Sequence, residues 1–146
     1  MKRPNAHLSF ASLLLAAACG GGSTEAIKEG FNDTSVDVDE DPPVIVHAEL
    51  GAQQYLQAVQ VDCQVTDEES AIGLVKVFYR EATQTTWSSL ELSPGADNNF
   101  TVQIPGDQVV GSSMKYYLTA EDIVGNSVAF PPEGEAGPLS FAVSAD

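Results

Sequence analysis

One eight-residue alternation limits what this chain can become more than any other feature. Met114, Tyr116, Leu118 and Ala120 interleave with Lys115, Tyr117, Thr119 and Glu121. A period of two puts the first set on one side of an extended strand and the second on the other, whereas a helix would scatter both sets around its axis. The strand runs into a turn at 122–127, where Gly125 and Asn126 tolerate positive φ. A strand with one apolar face needs a second layer to cover that face. This segment therefore reads as the middle of a β-sandwich.

The same period recurs upstream. Val59, Val61, Cys63 and Val65 alternate with Gln60, Asp62 and Gln64, and Val75, Val77 and Tyr79 alternate with Lys76, Phe78 and Arg80. Shorter runs at 44–47, 87–92 and 100–104, and a last strand made of 128–130 with 139–143, bring the total to about seven. Turn sequences such as SPGADNN and IPGDQVVGSS separate them. No helical period competes, so the expectation is an all-β, two-sheet sandwich over residues 43–146, an ordinary size for one folded unit.

What precedes the sandwich has a different composition. Residues 1–18 combine Lys2 and Arg3 with an apolar run ending in three alanines. The run falls short of the roughly 18 to 20 apolar residues that span a bilayer, and its small-residue end suits a cleaved signal peptide. The stretch LLLAAACGGG resembles the lipobox of bacterial lipoproteins, with Ala16 where that family most often has leucine. The resemblance implies that Cys19 is diacylated and becomes the new N-terminus, so that lipid on Cys19 ties the chain to a membrane. An ordinary secretory peptide cleaved near Ala18 is the alternative. Gly20 stands where an aspartate favours inner-membrane retention in lipoprotein sorting, so the resemblance implies the outer membrane or cell surface of a bacterial envelope. Residues 19–42 then form an acidic tether rich in Gly, Ser and Thr, without enough apolar surface to offset the entropy of ordering.

Charge narrows the partners. Six cations and 21 acids give a net −15, and loss of Lys2 and Arg3 with the leader makes this −17. Such a chain repels phosphate backbones, which argues against nucleic acid, and repels anionic lipid surfaces for the same reason. With Cys19 acylated, Cys63 has no disulfide partner.

The residues carry a second resemblance. Asp41-Pro42-Pro43, Val65-Thr66-Asp67, Ser70-Ala71-Ile72, Val77-Phe78-Tyr79-Arg80, Trp87, Ile104-Pro105, Tyr116 to Asp122 and Gly125-Asn126 together resemble the immunoglobulin-like and fibronectin type III-like modules of bacterial surface proteins. Two departures stand out: SAIG replaces the more usual Ser-Gly-Ile, and Leu118 stands where antibody-type domains place the cysteine that would bridge to Cys63. The resemblance implies a disulfide-free sandwich, with Tyr116 making a tyrosine-corner-like contact to the connection before its strand.

Catalysis is not expected. His47 is the one histidine after the leader and no motif surrounds it, Cys63 falls on an inward face, and no phosphate loop, thiolate zinc cluster or complete EF-hand pattern occurs. Two other features could carry binding. In an immunoglobulin-like topology Asp39, Asp41, Asp67, Glu69, Asp122 and Asn126 gather at one end and offer the oxygen donors that calcium prefers; the same residues also serve as turn formers. The outer face of the central sheet collects Lys76, Phe78, Arg80, Trp87, Lys115 and Tyr117. A stacked sugar or an acidic protein would suit that face, though aromatic and long cationic side chains also shield a solvated sheet without any ligand. The reading is a non-catalytic envelope module with a structural or protein-interaction role; the alternative is a carbohydrate- or calcium-binding module of the cell surface, with an enzyme ranked behind both.

Overall fold

A computed structural model describes residues 38–145. The expected signal peptide, the acylation site at Cys19 and residues 20–37 of the expected tether lie outside the described residues. Among the described residues no helix is long and apolar enough to cross a membrane.

Among the described residues ten strands form two sheets. β1 (Val44–Val46), β3 (Val59–Thr66), β7 (Asn99–Ile104) and β6 (Ser93–Pro94) make one sheet in that spatial order. The other runs β2 (Gln53–Gln54), β10 (Leu139–Ser144), β8 (Ser113–Asp122), β4 (Ile72–Glu81), β5 (Ser88–Glu91), with β9 (Ser127–Phe130) also paired to β8. The order within each sheet and the parallel pairing of β2 with β10 identify an immunoglobulin-like β-sandwich.

The alternations do what their period requires. Met114, Tyr116, Leu118 and Ala120 are buried, as are Val59, Val61, Cys63 and Val65 on the facing sheet and Val75, Val77 and Tyr79 beside them. The cross-strand pairs Val77↔Leu118 and Tyr79↔Tyr116 keep the inward residues in step. β8 is the central strand, flanked along its length by β4 and on its other side by β9 and then β10.

Three details depart from the sequence reading. The expected strand at 87–92 is β5 alone; buried Leu92 carries the chain across to the other sheet, where β6 begins at the next residue. β9 and β10 lie in succession along the same side of β8, broken by a detour at 131–138 that contains a 3-10 turn, Gly134–Ala136. Tyr116 does not reach the connection before its strand. Its hydroxyl accepts the Leu50 N–H at 2.9 Å and lies 3.0 Å from His47 Nε2, so it binds the segment between β1 and β2.

Candidate functional site

The outer face of the six-stranded sheet is assembled by register. Phe78 pairs with Tyr117 and Arg80 with Lys115 across β4 and β8, and all six expected residues of this face are half-buried. The Phe78 and Tyr117 rings stack with centroids 4.8 Å apart and planes 5° from parallel. Trp87 meets Tyr117 edge-on at 4.9 Å, and the Arg80 guanidinium carbon lies 4.6 Å from the Trp87 ring centre. These are favourable geometries for quadrupole pairing and for a cation over an indole. The Trp87 Nε1–H donates to Glu135 Oε1 at 3.1 Å, supplied by the detour. That detour can lie close because Gly134, buried and at φ 53°, takes a left-handed conformation beneath Ala129 and Tyr117. Loss of solvent, then the Glu135 charge, pushes the Tyr117 phenol above its ordinary value. Lys76 stands apart from the aromatic row, beside a cleft of about 280 Å³ shared with Phe78, Thr119 and Glu121.

The second region is the pole where residues 38–43 approach β1 and where the β3–β4 and β8–β9 loops meet. It brings together three of the six expected metal ligands: carboxylate oxygens of Asp39, Asp67 and Glu69 all lie within 4.8 Å of one another. Asp67 Oδ1 accepts the Glu69 and Ser70 N–H groups, and Asp39 Oδ1 accepts the Asp41 N–H. The second oxygens, Asp39 Oδ2 and Asp67 Oδ2, are shut off from solvent with no hydrogen-bond donor, as is Ser70 Oγ. Desolvation, then the charges of Asp41, Asp39, Glu68 and Asp67, pushes the Glu69 carboxyl above its ordinary value.

Of the other three expected ligands, the Asp41 side chain is exposed, and Asp122 and Asn126 are used within the fold. Asp122 is buried; its Oδ1 accepts the N–H groups of Val124, Gly125 and Asn126, and its Oδ2 accepts from Asn126 Nδ2 at 2.8 Å. Burial would raise its pKa, yet these bonds outweigh that and hold the carboxyl below its ordinary value. Asn126 Nδ2 also lies 3.1 Å from the Asp39 carbonyl and 3.3 Å from that of Asp41. It thus ties down the stretch expected to be the end of a flexible tether.

Among the described residues, His47 and Cys63 are both committed to the fold. The Asp62 carbonyl can only accept, so His47 Nδ1–H donates to it at 2.6 Å, and in the neutral ring Nε2 accepts the Tyr116 hydroxyl proton. Both nitrogens are thereby committed to the link between the two sheets. Burial, then the Asp62 charge, pushes the Cys63 thiol up to about 11, which leaves it protonated and inert. Glu135 and the exposed pair Ile123 and Val124 escaped sequence reasoning. The pair did carry a signal, as two β-branched residues at a turn tip between Asp122 and Gly125.

No family model matches the chain, and no curated protein matches it. Among solved structures it is similar to a variant of the SrpA adhesin from Streptococcus sanguinis, at 14% identity and a TM-score of 0.49, over 75% of this chain and 61% of that one. Murine CRIg is similar at 12% identity and a TM-score of 0.38, over 73% of this chain and 99% of that one. The chain spans 61% of the adhesin chain it resembles. The fold assignment rests on strand order and register.

Proposed function

We propose that this chain is a non-catalytic interaction module of the bacterial envelope, held to the outer membrane or cell surface by lipid on Cys19. The observation that carries the interaction role is the continuous ridge Phe78–Tyr117–Trp87–Arg80, which stands on an outer sheet face with Lys115 beside it. Ring edges and cationic groups of this kind serve an envelope protein or a glycan better than they serve a reaction, and the histidine and thiol are both committed elsewhere. Cys19→Ala should release the protein from membranes into the soluble fraction, and mass spectrometry should find a diacyl group on the wild type only. Trp87→Ala and Arg80→Ala should each lose a ligand captured by the wild type on a glycan array or from envelope extract, while the fold persists. Unfolding of both variants with no ligand found for the wild type would leave a structural spacer.

A specific observation favours a second reading, calcium binding by Asp39, Asp67 and Glu69. Two carboxylate oxygens withdrawn from solvent without donors are what a cation would satisfy. Calcium added to chelator-treated protein should raise the melting temperature by linkage, and magnesium should do so far less. Equal shifts with both ions would mean screening of a strongly acidic surface.

A further inference from the structure

At the same pole, chemistry other than metal binding is exposed. Ile123 and Val124 sit at the tip of the β8–β9 turn with 67% and 58% of their surface open, and Val38 beside them is 71% open. All three line a shallow groove of about 550 Å³ rimmed by Asp39, Glu68 and Glu69. Turn tips ordinarily carry small or polar residues, and single exposed apolar side chains call for no account, but three converging on one groove do.

The tip is also held rigid. Asp122 Oδ1 takes the N–H groups of Val124, Gly125 and Asn126 from within the turn, Gly125 adopts φ 103°, and the Ile123 N–H donates to the Ala71 carbonyl at 3.0 Å across the neighbouring loop. A buried carboxylate and a second loop therefore keep two β-branched side chains out in water. A surface already fixed in this way loses little conformational entropy when a partner covers it.

We propose that this pole docks a partner protein segment that presents apolar side chains flanked by lysine or arginine. The apolar tip supplies burial, and the acidic rim selects the sign of the partner's charge. A second copy of this chain is a poor occupant, because the net charge of −15 makes two such poles repel. The proposal rests on the reading of the chain as an interaction module but uses no residue of the aromatic ridge. Failure at either face is therefore separable from failure at the other.

The test titrates the purified protein, in chelator and therefore without calcium, with a short synthetic peptide carrying a leucine pair flanked by lysines. Two companion peptides replace the leucines by serine or the lysines by glutamate. The leucine–lysine peptide should bind saturably at one site and the companions should not. Ile123→Ser and Val124→Ser should each weaken binding about tenfold with the melting temperature unchanged, as expected of exposed interface anchors. Glu68→Gln combined with Glu69→Gln should weaken it and flatten its salt dependence. Equal binding of the serine–lysine peptide, wild-type affinity in both serine variants, or self-association through Ile123 and Val124 would each overturn the proposal.

Discussion

The outer sheet face and the acidic pole both concentrate charged and bulky side chains, yet they differ in how those side chains are partnered. On the face, Phe78 answers Tyr117, Tyr117 answers Trp87, and Trp87 is covered by Arg80 and bonded to Glu135; only Arg80 Nε is buried without a partner. At the pole, three buried oxygens lack donors and two β-branched residues stand in water on a rigid turn. An internally satisfied surface stabilises the fold whether or not a ligand exists. A surface with unmet groups carries a standing cost that a bound partner or ion removes.

The largest expected effect concerns the core beneath both regions. Leu118, fully buried opposite Val77, should cost about 2 to 5 kcal/mol as Leu118→Ala in chemical denaturation. A change within about 0.5 kcal/mol, typical of surface sites, would invert the face assignment and with it the whole comparison.

Acid titration comes next and bears on the pole. Asp122 is held below its ordinary pKa in the fold, so its contribution is present above the unfolded value of about 3.9 and is lost as pH falls through the folded value. Asp122→Asn should lower stability at neutral pH and flatten its decline below about pH 4. An acid limb identical to the wild type would show that other carboxylates set it.

The smallest effect sharpens the contrast on the face. A double-mutant cycle on Arg80 and Trp87 should give a coupling of about 0.5 to 1 kcal/mol if the guanidinium and indole are partners in solution. Zero coupling would show that the guanidinium and the indole are not partners in solution and would erase the difference between the two regions.

Much of this was legible in residue order, and the boundary of legibility is physical. The inward residues of β3, β4 and β8 follow from a period of two, because the pleat leaves a strand no other option once one face is buried. β2 and β6 have two residues each and so contain no period to read. The gathering of Asp39, Asp67 and Glu69 at one end followed from resemblance to a topology. A turn-forming role for Asp122 and Asn126 was also legible, but not which of the two roles they take, since that depends on which N–H groups the carboxylate faces. Glu135 lies 48 residues from Trp87, and a contact of that span leaves no local trace.

The broken strand opposite β4 has one more consequence, for behaviour at high local concentration. Unpaired sheet edges are templates on which foreign strands can add, and long flat ones seed aggregation. Here β9 has four residues and β10 six, β2 covers the end of β10, and the detour between β9 and β10 interrupts the row of free backbone groups. The remaining margins are as short, with three residues in β1, two each in β2 and β6, and four in β5. A module built in this way offers neighbouring copies only short borders on which foreign strands could add at high concentration.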